Sequence, residues 1–235
     1  SDVPGAMTEW TLASGSTLAP DQPVTLTWSN TKGLTFSRVI SVDKDYMFSV
    51  TDTVTNGSAA TVTLQPYGLI ARRGLPKLQN IFVVHEGAVQ RADGELTETD
   101  YDDLTAFEVD PTEGLPAQVT SATTDGWVGF TDHYKPYKQV LKYDPARNEY
   151  LADVRPAAVS LAAGAETTST IQLFAGAKEW ATIRAYETEG GIAGFLDSID
   201  WGTTLSTNVI EVYFAPSGEV VDGHTSRGWN AYEQQ

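Results

Sequence analysis

Short runs of alternating apolar and polar residues, rich in β-branched side chains and broken by turn residues, constrain this chain most. Val24, Leu26 and Trp28 alternate with Thr25 and Thr27, the two-residue period of a strand with one buried face. Asn30-Thr31-Lys32-Gly33 then reads as a turn, and Leu34, Phe36 and Arg38 begin a second strand. Residues 46–55 and 59–65 are β-branched-rich runs flanking Asn56-Gly57-Ser58. Asn-Gly suits the positive φ angles of a tight hairpin turn, so these two runs are expected to pair with each other. Further strands are expected at 67–72, 80–85, 88–91, 127–132, 137–143, 157–161 and 167–174. Short strands at such spacing imply a sandwich or barrel.

Two regions depart from that pattern. Residues 93–125 are acidic and carry Pro111, Gly114 and Pro116, the marks of a long surface excursion. Past residue 174 the period changes: AGAKEWATIRAYETE is rich in helix formers, and Gly190-Gly191 stops it. Ile192, Phe195, Leu196 and Ile199 then fall at i, i+3, i+4 and i+7, one apolar face of a second helix. The expected organisation is an all-β body over 1–174, a helical segment over 175–202, and a tail over 203–235 that holds one possible hairpin.

Composition narrows the function classes. Fifteen Lys and Arg against 31 Asp and Glu leave a formal charge of −16, which argues against nucleic-acid binding and against docking on anionic lipid through a basic patch. There is no cysteine, so disulfides, thiol catalysis and cysteine-built zinc sites are excluded, while the compartment is left open. No stretch approaches 18 consecutive apolar residues. The N-terminus carries no signal-like apolar segment, and a chain that begins at Ser1 is expected to be a processed or excised piece of something longer.

Candidate chemistry is sparse. His85, His133 and His224 are far apart and match no ligand spacing. Glu98, Asp100, Asp102 and Asp103 lack the glycine and glutamate positions of an EF-hand loop. Arg72-Arg73 reads as a solvated strand end, and Trp28 and Trp127 as core residues in strands. No catalytic residue, metal ligand or cofactor is expected.

Several segments together carry a resemblance. They are DQPVTLTWSN (21–30), GLTFSRVISVDKDYMFSVTDTVTN (33–56), LQPYGLIARRG (64–74), FVVHEGAV (82–89), LTETDYDDL (96–104), GWVGFTDHY (126–134), LFAGAKEW (173–180) and FLDSIDWG (195–202). In this order they resemble the large first periplasmic domain of the YidC membrane protein insertases of Gram-negative bacteria. The resemblance implies a β-supersandwich of two large antiparallel twisted sheets, ending in helices next to the membrane. It also implies a location at the periplasmic face of the inner membrane. Sec translocon subunits and inserting polypeptides are the partners it implies, contacted by a non-catalytic platform. Trp180, Ile183, Ile192, Phe195, Leu196 and Ile199 form the expected partner-binding surface; packing of that face on the sandwich is the competing reading. Where the family enters a transmembrane helix after IDWG, this chain continues TTLSTNVIEVYF, for which two readings stay open: a hairpin that completes the sheet, or unrelated sequence. Two other readings compete with the insertase platform. One is a carbohydrate-active, mutarotase-like supersandwich depending on His85 or His133; the other is a spacer without ligand.

Overall fold

The computed structural model describes residues 3–5, 7–75, 85, 87–130, 138–176 and 179–199. In chain order the first half contains β1 (Thr11–Ser14), β2 (Val24–Ser29), β3 (Leu34–Val42), β4 (Met47–Asn56), β5 (Val62–Leu64), β6 (Gly68–Arg73), β7 (Gly87–Ala92), β8 (Glu95–Asp100) and α1 (Tyr101–Ala106). The second half contains β9 (Ala117–Ser121), β10 (Gly126–Gly129), β11 (Lys138–Asp144), β12 (Glu149–Arg155), β13 (Val159–Leu161), β14 (Glu166–Phe174), α2 (Trp180–Thr188) and a 3-10 turn at Phe195–Ser198. The fold is all-β with a short helical C-terminal segment, and the described strands pair antiparallel throughout. None of the described helices is long and apolar enough to cross a membrane.

Among the described residues these strands form four sheets: β1-β2-β3-β4-β14, β6-β12-β11-β9, β10-β7-β8 and β13-β5. The first shows the expected alternation across its width. Trp28, Phe36 and Val54 stand opposite one another on one face, with the Trp28 and Phe36 rings 5.6 Å apart. The other face is hydroxylic: Thr53 meets Thr168 and Thr51 meets Thr170, each oxygen pair at 3.0 Å. The β2–β3 turn forms where Asn30 precedes Gly33. The Asn30 side-chain oxygen accepts from the Lys32 and Leu34 amides at 2.9 and 2.8 Å, and Gly33 supplies the positive φ of 91°.

The three-stranded sheet is the middle layer. Ala88 and Val128 point to one side, into a core with Leu141, Tyr150, Ala152 and Val154 of the four-stranded sheet. Val89 and Trp127 point to the other side, where they meet Met47, Phe174 and the C-terminal segment. At the far end Gly68 of β6 lies close under β14. A Cβ there would sit 3.3 Å from Ile171 and 3.1 Å from Val154, so the missing side chain permits the close approach.

Three expectations change. The runs around Asn56-Gly57 do not form a hairpin with each other: β4 pairs with β3 and β14, and β5 pairs with β13. The Asn56 amide is fully buried and works as a hub instead of a turn residue. Its Nδ2 donates to the carbonyls of Ala60, Leu161 and Ala162 at 2.8, 3.0 and 3.1 Å, and its Oδ1 accepts from the Ser58 amide and hydroxyl. That network, two of whose acceptors lie more than a hundred residues along the chain, outcompetes the turn geometry that Asn-Gly favours.

Residues 93–125, expected as a surface excursion, contain β8, α1 and β9. Tyr101 and Leu104 of α1 are buried in the core. The acidic loop before β9 is pinned by Glu113, which accepts from Arg155 at 2.6 and 2.7 Å and from Lys142 at 3.2 Å. Asp153 takes the other sides of both cations, at 2.7 Å from Lys142 and 2.8 Å from Arg155. β12 itself was not foreseen, because Glu149, Asp153 and Arg155 make it look too polar for a central strand. The second helix expected over 192–200 is the third difference: the described residues there form a turn at Ala193 and Gly194 and a single 3-10 turn at Phe195–Ser198. The strand expected at 80–85, most of it, and the end of that at 127–132 lie outside the described residues, as does the tail over 203–235.

Candidate functional site at the C-terminal segment

Residues 179–199 are the segment to which the expected partner-binding residues belong. α2 begins after Glu179, whose carbonyl accepts from the Ile183 amide at 2.9 Å. Gly191, with φ of 70°, closes the helix, and the Ile192 amide bonds back to the Tyr186 carbonyl at 3.1 Å. Gly194, with φ of 64°, then turns the chain into the 3-10 turn. Three glycines within five residues (190, 191 and 194) are incompatible with a continuous helix, which is why the apolar spacing at 192–199 does not produce one.

The apolar residues nevertheless converge. Ile183 and Phe195 are 0% exposed, Ile192 7% and Ile199 6%, in one cluster with Met47, Val89, Trp127 and Phe174. Phe195 stands edge-on to Phe174, with centroids 5.7 Å apart at 84°, and Tyr186 lies 5.9 Å from Phe195. Four of the six expected surface residues are thus inside the core, packed on the sandwich. Leu196 is partly buried against the same cluster. Trp180, at 39% exposure, faces solvent, with the Arg184 guanidinium 4.8 Å over its ring.

Polar contacts supplement the packing. The Tyr186 hydroxyl donates to Asp43 at 2.6 Å. Burial pushes the Tyr186 phenol well above its ordinary range, and the Asp43 carboxylate adds to the effect. Glu187 accepts from the Leu196 amide at 2.7 Å. Arg91 of β7 reaches the segment at the Ala193 carbonyl, 3.2 Å away, while also donating to Asp125 at 2.7 Å. Sequence reading missed Arg91: one Arg in a strand looks like a solvated position, and only pairing with β10 places it beside the glycine-rich segment. An open cleft of about 380 Å³ adjoins α2, with Asp43, Ser49, Gln172, Tyr186 and Ile192 among its lining residues.

The geometry is that of a docked structural segment. His85, a base candidate in the mutarotase-like reading, has its ring between the Ala88 carbonyl and the Asp100 carboxylate, each at 3.0 Å. His133 and His224 lie outside the described residues. Among the described residues no group of three His, Asp or Glu could hold a metal ion.

Comparison with known proteins agrees with the sequence resemblance. Residues 1–214 match the model of the YidC periplasmic domain. The chain is 57% identical over 212 residues to the membrane protein insertase YidC of Ruegeria sp. (strain TM1040), covering 86% of this chain and 35% of that protein. To the YidC of Ruegeria pomeroyi it is 49% identical over 217 residues, covering 86% and 36%. The chain thus spans about a third of the length of these relatives. Among solved structures, a galactose mutarotase-like protein of Clostridium acetobutylicum is similar with a TM-score of 0.45 and 12% identity, over 71% of this chain and 66% of that one. Match and identities together place the chain in a family: it belongs to the YidC periplasmic domains.

Proposed function

We propose that this chain is the water-facing domain of a membrane protein insertase, held at the periplasmic face of the inner membrane. It acts there as a non-catalytic platform that contacts the Sec translocon and inserting polypeptides. Family membership supports the insertase assignment. The observation that carries the platform reading is the docking of residues 179–199: the membrane-proximal segment of the family is packed into the sandwich through Ile183, Ile192, Phe195 and Ile199. A partner touching the exposed part of that segment would therefore meet one firm body. Trp180 and the accessible edge of Leu196 are the contact points, in place of the whole apolar set.

Site-specific photocrosslinking in the full-length insertase in membranes tests this. A benzophenone residue at Trp180 or Leu196 is expected to capture translocon subunits or nascent membrane proteins. The same probe at exposed Thr168, six residues along β14 from Phe174, should capture neither. Equal capture from all three positions, or none from Trp180 and Leu196, would leave the domain as a spacer.

A further inference from the structure

We infer that Arg91 is a latch that fixes the direction of residues 192–199 on the sandwich. The apolar cluster explains why the segment docks, but apolar burial is non-directional. Past the helix, the backbone bonds of residues 192–199 are Ile192 to Tyr186 at 3.1 Å and, at the 3-10 turn, Asp197 to Gly194 at 3.1 Å and Ile199 to Leu196 at 3.0 Å. Such a turn does not hold its orientation alone. A guanidinium is a rigid planar fork whose bonds do carry direction.

Arg91 has the required placement. Its side chain is only 14% exposed and lies on the same face of β7 as Val89, within the C-terminal cluster. One guanidinium nitrogen bonds Asp125 at 2.7 Å and the Ala193 carbonyl at 3.2 Å, and Nε faces the Asp197 carboxylate at 3.4 Å. Both ends of this bridge are themselves fixed. The Arg91 carbonyl accepts from Gln139 of β11 at 2.8 Å. The loop carrying Asp125 is held by Asp93, whose carboxylate takes the amides and hydroxyls of Thr123 and Thr124. Gly194 completes the fit: a Cβ there would overlap the guanidinium, at 2.5 Å from its central carbon. The position thus has two reasons to be glycine, its φ of 64° and the space that Arg91 occupies.

The consequence for the insertase rests on the function proposed above: the latch would set how the sandwich is oriented toward the membrane-embedded remainder. The latch itself is testable in the 235-residue chain by hydrogen–deuterium exchange with mass spectrometry. In Arg91→Met, amides 192–199 should exchange about ten- to a hundredfold faster, the factor implied by loss of hydrogen bonds to a charged group. Amides of β4 and β12 should keep their wild-type rates. Asp197→Asn, at an exposed carboxylate, should give a smaller increase confined to the same peptide. Arg91→Lys, which keeps the charge without the fork, should fall between wild type and Arg91→Met. Wild-type protection of 192–199 in Arg91→Met would overturn the latch. So would a rise spread evenly over all strands in both Arg91→Met and Asp197→Asn. Should Arg91→Met fail to fold, Asp197→Asn and Arg91→Lys decide by the same criterion: faster exchange confined to 192–199 supports the latch, and unchanged protection there refutes it. Failure of crosslinking at Trp180 would leave this result untouched, and failure of the latch would leave the crosslinking result untouched.

Discussion

Replacing Phe195 by alanine separates a core residue from a partner-contact residue. The side chain is fully buried, edge-on to Phe174 and beside Tyr186. Its removal takes away a complete aromatic side chain and leaves a cavity inside the cluster, beside the Phe174 and Tyr186 rings. Core Phe→Ala changes cost about 3–5 kcal/mol, the transfer and cavity contributions together. The lost edge-to-face contact, roughly 0.5–1.5 kcal/mol, lies within that figure. In urea, with a slope of about 2 kcal/mol/M, the midpoint should fall by about 1.5–2.5 M. The thermal midpoint should fall by about 6–20 °C for a domain of this size. Circular dichroism in the far ultraviolet follows both transitions. Trp180→Ala is the matched control: at 39% exposure it should change stability by less than about 1 kcal/mol. If Phe195→Ala lost under about 0.5 kcal/mol, or Trp180→Ala lost more than Phe195→Ala, the assignment of these two residues to core and surface would be wrong.

Two further substitutions test what pins the loops. Glu113→Gln removes the carboxylate between Arg155 and Lys142, and should cost about 1–3 kcal/mol near neutral pH by the same unfolding assay. The Arg155 hydrogen bonds, ahead of the Lys142 contacts, hold Glu113 at about 2, below its ordinary 4.5. A depressed carboxylate stabilises the folded state fully above its unfolded value and stops doing so once pH falls through its folded one. The stability gap between wild type and Glu113→Gln should therefore shrink from about pH 4.5 down to about 2; a gap that widened on acidification would contradict the pairing. Asn56→Ala leaves three carbonyls without their Nδ2 donor and should cost about 1–3 kcal/mol. A loss below about 0.5 kcal/mol would remove Asn56 as the hub between β4 and the β5–β13 pair.

Much of the fold was legible because strands with one buried face write their period into the chain. The β2–β3 pair and its Asn30–Gly33 turn appear where the alternation placed them, and β6, β11 and β14 lie within a residue of the expected positions. Two of the failures, the Asn56-Gly57 hairpin and the acidic excursion, have a common cause. Asn56-Gly57 and Glu113 are residues whose local preference is exposed turn or loop, yet each is satisfied by a partner distant in sequence. Asn56 bonds residues 161 and 162, and Glu113 bonds Lys142 and Arg155. A local reading prices such a group as if water were its partner, and so puts it outside.

The C-terminal segment divides in the same way. The spacing of Ile192, Phe195, Leu196 and Ile199 is visible in the sequence and does mark residues that share one apolar environment. Apolar spacing states that a surface must be covered; it does not state by what. Here the cover is this chain's own sandwich, supplied by Val89, Trp127, Met47 and Phe174 from four strands. Local sequence thus determined the strand period, the acidic composition and the family. Long-range pairing decided the rest. Only when β7 is placed beside β10 does Arg91 meet Asp125 and the Gly194 turn, because the geometry of a charged fork depends on groups about a hundred residues apart being brought within hydrogen-bond distance.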